Sequence, residues 1–122
     1  MKIRIKDNSI RLRLTKTDVA DLKSKQHVAC KTVISNQEIF EYVLQSKDIS
    51  EAKAAFSSGR ITVTLPLAMA SILTDTEEIT VKSYQENGQE EPLFLLIEKD
   101  LQCLDETHED QSDMYDNPKL SC

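Results

Sequence analysis

Polar and apolar side chains alternate along the first part of the chain. In residues 2–6, isoleucines alternate with lysines and an arginine, and in residues 9–14 an isoleucine and two leucines alternate with a serine and two arginines. A period of two is typical of a strand with one buried face. Asp7 and Asn8 separate the two segments and favour a tight turn. The pattern therefore predicts a β-hairpin.

A short helix and a second hairpin are predicted next. Thr15 and Asp18 have the spacing of a capping box, in which two side chains cap free N–H groups at a helix N-terminus. Val19 and Leu22 lie three residues apart, so both would face the sheet from a helix over about residues 16–25. The strands that follow are predicted from Val28, Cys30, Phe40, Tyr42 and Leu44, with a turn at Asn36–Gln37.

The same order of patterns returns 51 residues later. At this offset the apolar positions of the first copy fall on Ile61, Val63, Leu65, Leu73, Ile79, Val81, Leu93 and Leu95, so that Val81 is matched to Cys30. Pro66 replaces Thr15, and proline suits the first position of a helix because it lacks the N–H that would be unpaired there. The chain is therefore predicted to contain two copies of a ββαββ unit.

One such unit leaves an apolar sheet face that its single helix covers only in part. We expect an α+β domain over residues 1–98, with repeat units of about 2–46 and 53–98, in which the two copies cover each other. The result would be an antiparallel sheet or a partly closed barrel with two short helices. Gln45–Ala52 is the predicted linker. The strand at 53–56 is the weakest element, because it is rich in alanine and residues 50–55 also fit a helical turn.

Charge separates the domain from the C-terminal segment. Residues 1–97 contain 13 basic and 13 acidic side chains, whereas residues 98–122 contain 2 and 8, so this segment carries the whole net charge of −6. Blocks of like charge usually stay solvated. We expect residues 99–122 to form an acidic tail, either docked on the domain or partly disordered.

The polar face of the first hairpin is strongly basic. Alternation places five cations on that face within cross-strand distance: Lys2, Arg4, Lys6, Arg11 and Arg13. Their mutual repulsion requires bulk water, a bound anion or acidic groups elsewhere in the protein. The sequence leaves three roles open, namely a solvated face, binding of an external polyanion, and contact with the protein's own tail. Nucleic acid is not expected, because the domain is not basic overall and no aromatic side chains interleave with the charges.

A second candidate site lies in the tail. Thiolate, imidazole and carboxylate are the ordinary ligands of zinc and related divalent metals, and the candidate ligands are Cys103, His108, Asp110, Asp113 and Cys122. Neither the spacing of a zinc finger nor that of a calcium loop is present. His27 at the predicted helix exit favours a local role against the helix dipole, and Cys30 a role as a small core residue.

The two ends of the chain resemble a small family of uncharacterised bacterial proteins. At the start the resemblance rests on residues 1–15, which read MKIRIKDNSIRLRLT. At the end it rests on Glu98-Lys99-Asp100, Cys103-Leu104, Glu109-Asp110, Asp113 and Asn117-Pro118. The resemblance spans the whole chain and implies a bacterial cytosolic protein. It supplies no catalytic residue, and it makes the tail a candidate for more than a solvated end.

The sequence favours a non-enzymatic interaction domain in which the acidic tail contacts or masks the basic hairpin face. The first alternative is a metal-binding protein that uses the tail ligands, and the second is a small enzyme with a cleft between the copies. We expect a cytoplasmic protein, because residues 1–6 lack the apolar core of a secretory signal and the apolar runs are too short to span a bilayer. The expected partner is the protein's own tail or another protein, and no cofactor is expected unless a divalent metal such as zinc binds.

Overall fold

The computed structural model describes residues 1–101, Asp113 and Tyr115. The first copy comprises β1 (Lys2–Lys6), β2 (Ser9–Leu14), α1 (Lys16–Lys25), β3 (His27–Ser35) and β4 (Glu38–Lys47). The second comprises β5 (Lys53–Ser57), β6 (Arg60–Pro66), α2 (Leu67–Asp75), β7 (Thr80–Gln85) and β8 (Leu93–Lys99). The predicted α+β class and the repeated ββαββ order are confirmed. The alanine-rich segment is a strand, and the predicted linker begins later because β4 continues to Lys47.

The strands form two four-stranded sheets, and each sheet takes one hairpin from each copy. Sheet A has the order β1-β2-β8-β7, and sheet B has the order β3-β4-β6-β5. In both sheets the outer pairs are antiparallel and the central pair is parallel. The sheets are therefore mixed rather than purely antiparallel, and residues 1–101 do not form a closed barrel. A tight turn cannot join two parallel strands, and in both sheets the two strands of the central pair come from different copies.

The strand registers show that the two copies correspond at two different offsets. β1 and β2 match β5 and β6 at 51 residues, because Lys2 pairs with Arg13 and Lys53 pairs with Thr64. After the helices the offset is 53 residues, since Val28 pairs with Leu44 and Val81 pairs with Ile97. Val81 is thus the counterpart of Val28, not of Cys30. A shift of two residues keeps every side chain on the same face of a strand, so the apolar pattern does not distinguish the two offsets.

One hydrophobic core lies between the sheets and beneath both helices. Apart from Ala52, which directly precedes β5, its members share the inward phase of their strands or the sheet-facing side of their helices: Leu12, Leu14, Leu22, Val28, Leu44, Ile61, Val63, Leu65, Ala70, Leu73, Val81, Leu95 and Ile97. Leu44, Leu65, Leu73 and Leu95 are fully buried. Each fully buried leucine contributes about 2 kcal/mol relative to an exposed one. The core therefore joins both copies into one unit.

Side-chain hydrogen bonds connect the two sheets. Next to β1, the hydroxyl of Tyr42 in β4 donates to the Met1 carbonyl at 2.8 Å, and burial raises the pKa of this tyrosine. At the opposite edge, the Gln85 amide in β7 exchanges two hydrogen bonds with the backbone of Ala54 in β5, at 2.6 and 3.0 Å. Cys30 faces the same side but is only half-buried, with its thiol 3.7 Å from the Met1 carbonyl.

The predicted capping box is present at the start of α1. The Thr15 N–H donates to the Asp18 carboxylate at 2.8 Å, and the Asp18 N–H donates to the Thr15 hydroxyl at 3.2 Å. The carboxylate also forms an ion pair with the Met1 amine at 2.8 Å. Burial opposes ionisation of Asp18, but hydrogen bonds from Met1 and Thr15 outweigh it, so the pKa of this carboxyl is lowered. At α2 the cap residue is Pro66, which has no side-chain hydrogen bond.

Replacing Asp18 tests this capping network. Because the pKa of Asp18 is lower in the folded state, its ionised form stabilises the fold above the pKa of the unfolded chain, and this stabilisation is lost as the pH falls through the folded-state pKa. We expect Asp18→Asn to lower the free energy of unfolding by about 1 kcal/mol at pH 7. Urea titrations at pH 7 and at pH 3 should show the deficit shrinking at the lower pH. The control Asp21→Asn removes only a helix surface pair with Lys25 and should cost less. A deficit that is independent of pH would contradict the role of the charge.

The turn between β5 and β6 requires glycine. Gly59 has φ +73°, and a Cβ built there would lie 2.8 Å from the Ile39 carbonyl oxygen. The Glu41 N–H also donates to the Gly59 carbonyl at 2.9 Å, and this hydrogen bond joins the two hairpins of sheet B. In sheet A the Phe94 N–H donates to the Asn8 carbonyl at the same distance. The position is therefore constrained by a contact between the copies.

Alanine substitutions at Gly59 and Gly88 distinguish the cost of backbone strain from the cost of the close contact with Ile39. Gly88 also has a positive φ, +79°, but a Cβ there would meet nothing within 4 Å. We expect Gly88→Ala to cost about 1 kcal/mol from strain, and Gly59→Ala to cost about 2 kcal/mol or more because the Ile39 carbonyl must also move. Chemical denaturation of both variants measures the difference. Equal losses would show that the contact with Ile39 is unimportant.

Candidate anion-binding face

The outer face of sheet A, defined here as the basic face, collects all five predicted cations. Lys2 lies directly opposite Arg13, and Arg4 lies directly opposite Arg11, while Lys6 ends β1 next to Ser9. The predicted cross-strand cluster is therefore present in the fold. Facing cationic pairs destabilise a hairpin unless opposite charges or solvent compensate them.

Two carboxylates from the end of the second copy compensate part of this charge. Glu98 lies beside Arg13 in the parallel pair of β2 and β8, and its Oε1 accepts from Arg13 Nε at 2.9 Å and lies 3.5 Å from Arg11 Nε. Asp100 follows β8; its N–H donates to the Leu14 carbonyl at 2.7 Å, and its carboxylate lies 3.2 Å from Lys2 Nζ. Acidic groups from the C-terminal end of the described chain therefore already contact three of the five cations.

A shallow groove of about 170 Å³ runs over the rest of the basic face. Its lining combines cationic, polar and apolar side chains: Arg4, Lys6, Ser9, Ile10, Arg11, Phe94 and Leu96. The cationic residues and Ile10 come from β1 and β2, whereas Phe94 and Leu96 come from β8. The groove can therefore contact an anionic group and an apolar group of the same ligand.

Sequence reasoning missed the aromatic residues of this face. The register places Phe94 beside Ser9 and Tyr84 beside Phe94, so both rings share the outer face with Lys6. The ring centroids are 5.1 Å apart, and Tyr84 is 66% exposed. Alternation along β8 already indicated that Phe94 points away from the core. The position of the rings beside the cations depends on pairing between strands 85 residues apart, for which the sequence carries no signal.

The outer face of sheet B provides an internal comparison. Positions equivalent to the five cations hold Lys53, Ala55, Ser57, Thr62 and Thr64. Arg60 forms an ion pair with Glu41, and the Gln45 amide donates to the Thr64 hydroxyl at 2.9 Å. A groove of about 300 Å³ also lies on this face. The same architecture therefore folds without a basic face, so folding does not require these charges.

The other predicted site residues are not brought together by the described structure. Cys103, His108, Asp110 and Cys122 lie outside the described residues, and Asp113 is exposed. Among the described residues, no three His, Cys, Asp or Glu side chains are arranged to hold a metal ion. The zinc site in the tail stays a prediction. His27 is an exposed residue at the start of β3, and Gln26, with φ +58°, caps α1 in its place.

The comparisons with known proteins identify a family but no activity. Residues 1–119 match the family of unknown function DUF7009. The chain belongs to this family. No curated protein and no solved structure matches it. Neither α1 nor α2 has the length and apolar character needed to cross a membrane. Any functional assignment must therefore come from the chemistry of the site.

Glu98 should stabilise the fold because its carboxylate compensates the positive charges of Arg11 and Arg13. We expect Glu98→Gln to lower the free energy of unfolding by about 1 kcal/mol, because the carboxylate is mostly buried and has two guanidinium neighbours. Added salt should restore part of this loss by screening the arginines. The control Glu41→Gln removes one carboxylate with one guanidinium partner from sheet B and should cost less. Urea titrations in low and high salt make the comparison, and a loss that ignores salt would argue against charge compensation.

Proposed function

We propose that the protein is a non-enzymatic binding domain whose basic face takes a polyanionic partner in competition with the protein's own acidic tail. The observation that carries the proposal is the set of contacts from Glu98 and Asp100 to Arg11, Arg13 and Lys2. Carboxylates positioned on a cationic face are the contacts that an external anion would have to replace. The face is therefore suited to exchange one anionic partner for another.

The sequence beyond Asp100 supports competition by the tail. Residues 101–122 contain six carboxylates and one lysine. They are tethered to the end of β8, next to the basic face, so their effective concentration at this face is high without any additional contact. Such a tail weakens the binding of weak or sparsely charged anions. A partner with many closely spaced charges then has the advantage.

The difference between the two outer faces supports a binding role for the cations of the basic face. The basic face and the outer face of sheet B are built from equivalent strands, yet only the former contains facing cationic pairs. Maintaining Arg4 opposite Arg11 and Lys2 opposite Arg13 is unfavourable in the absence of anions. Folding does not require cations at these positions, whereas the binding of an anion does.

Neutralising the tail in the full chain tests the proposal. The six carboxylates are replaced by their amides, at positions 105, 106, 109, 110, 113 and 116, and retention on heparin is measured with a salt gradient. We expect the tail-neutralised chain to elute at higher salt than the unmodified chain, because competition for the basic face is removed. Circular dichroism checks that the fold is unchanged.

A pair of double variants distinguishes the basic face from a general effect of net charge. In the tail-neutralised chain, Arg4→Gln with Lys6→Gln removes two charges from the basic face, whereas Lys31→Gln with Lys53→Gln removes two from the outer face of sheet B. We expect the Arg4/Lys6 double variant to lose the added retention on heparin and the Lys31/Lys53 double variant to keep most of it. Equal losses, or no gain on neutralising the tail, would reject the proposal.

A further inference from the structure

An aromatic pair continues the basic face across sheet A. One row of the sheet runs from Lys6 in β1 through Ser9 and Phe94 to Tyr84 in β7, with each residue directly beside the next. Four adjacent strands span about 14 Å between the outermost pair. Along this row the surface changes from cationic to aromatic. The adjacent row adds Arg4 and Arg11 on the cationic side.

The two rings are available to a ligand. Tyr84 is 66% exposed, and Phe94 is half-buried beside it with the ring planes inclined by 36°. Phe94 also lines the groove together with Arg4, Lys6 and Arg11. A flat group stacked on these rings would thus lie within reach of the cations across the groove. Lys82 lies beside Leu96 on the same face and adds a cation on the aromatic side.

This combination separates possible polyanions by their chemistry. A chain of phosphates or sulfates without flat rings would use the cations and leave the aromatic pair without a role. Duplex DNA keeps its base faces stacked inside the helix, so it has nothing to place on the rings. A single-stranded nucleic acid offers both a charged backbone and exposed bases, and open sheets carrying aromatic residues bind two or three such bases by stacking.

We infer that the polyanion bound by the basic face is a single-stranded nucleic acid, with bases on Tyr84 and Phe94 and phosphates on Arg4, Lys6 and Arg11. This inference rests on the proposed function and names its ligand class. It departs from the expectation from sequence that nucleic acid does not bind, which rested on the lack of aromatic side chains interleaved with the charges; in the sheet, Phe94 lies beside Ser9 and Tyr84 lies beside Phe94. Stacking tolerates every base, so binding is expected with little sequence preference.

Anisotropy of a short fluorescein-labelled oligothymidylate, titrated with the tail-neutralised full chain, tests the inference. Inorganic polyphosphate, whose binding is measured directly by isothermal titration calorimetry, serves as the polyanion without bases. We expect Tyr84→Ala to weaken oligothymidylate binding by roughly tenfold or more. Tyr84→Phe keeps the ring and should bind as the parent does. Affinity for polyphosphate should be unchanged in both variants, because neither alters a charge.

Phe56→Ala is the matched control for a general effect of exposed aromatic residues. Phe56 is 70% exposed and lies on β5 of sheet B, away from the basic face, so its loss should not affect either ligand. If oligothymidylate and polyphosphate both bind and Tyr84→Ala weakens neither, or weakens both equally, the inference is overturned while the proposed function stands. If neither ligand binds the tail-neutralised chain, the proposed function fails as well.

Discussion

The parallel pairing of central strands from different copies is the constraint on which this structure depends. β2 pairs with β8 in sheet A, and β4 pairs with β6 in sheet B, so each sheet is completed only when both ββαββ units are present. The buried leucines of these strands, such as Leu12, Leu44 and Leu95, form one core rather than two. Neither copy can therefore bury its apolar face by itself. The requirement for glycine at position 59 follows, because the turn of one copy contacts β4 of the other.

The same pairing produces two outer faces that are alike in geometry and different in chemistry. Sheet B presents threonines and an internally paired Arg60 and Glu41, whereas sheet A presents facing cations. Since both faces are supported by equivalent strands, the difference reflects the identity of the side chains and not the backbone. The duplicated fold thus supports two outer faces of different charge.

The end of β8 joins the core, the basic face and the acidic tail. Leu95 and Ile97 point inward, Glu98 contacts Arg11 and Arg13, and Asp100 contacts Lys2. Alternation along one strand therefore couples fold stability to the charge balance of the outer surface. In the proposed role, a partner that displaces these carboxylates must supply comparable negative charge. The aromatic pair contributed by β7 and β8 would then add a contact that carboxylates do not use, which would favour a ligand with flat rings.

The sequence by itself determined the local elements, because capping, turn residues and apolar periods act over a few neighbouring residues. The helix at 16–25, its capping box at Thr15 and Asp18, the five cations on one face and the repeated ββαββ order all follow from such short-range patterns. The tertiary structure decided which strands are neighbours. Exchange of hairpins between copies, the 53-residue offset after the helices and the position of Phe94 and Tyr84 beside the cations depend on pairing between distant segments. A period of two shows which face of the sheet a side chain lies on, but it does not show which strand is the neighbour.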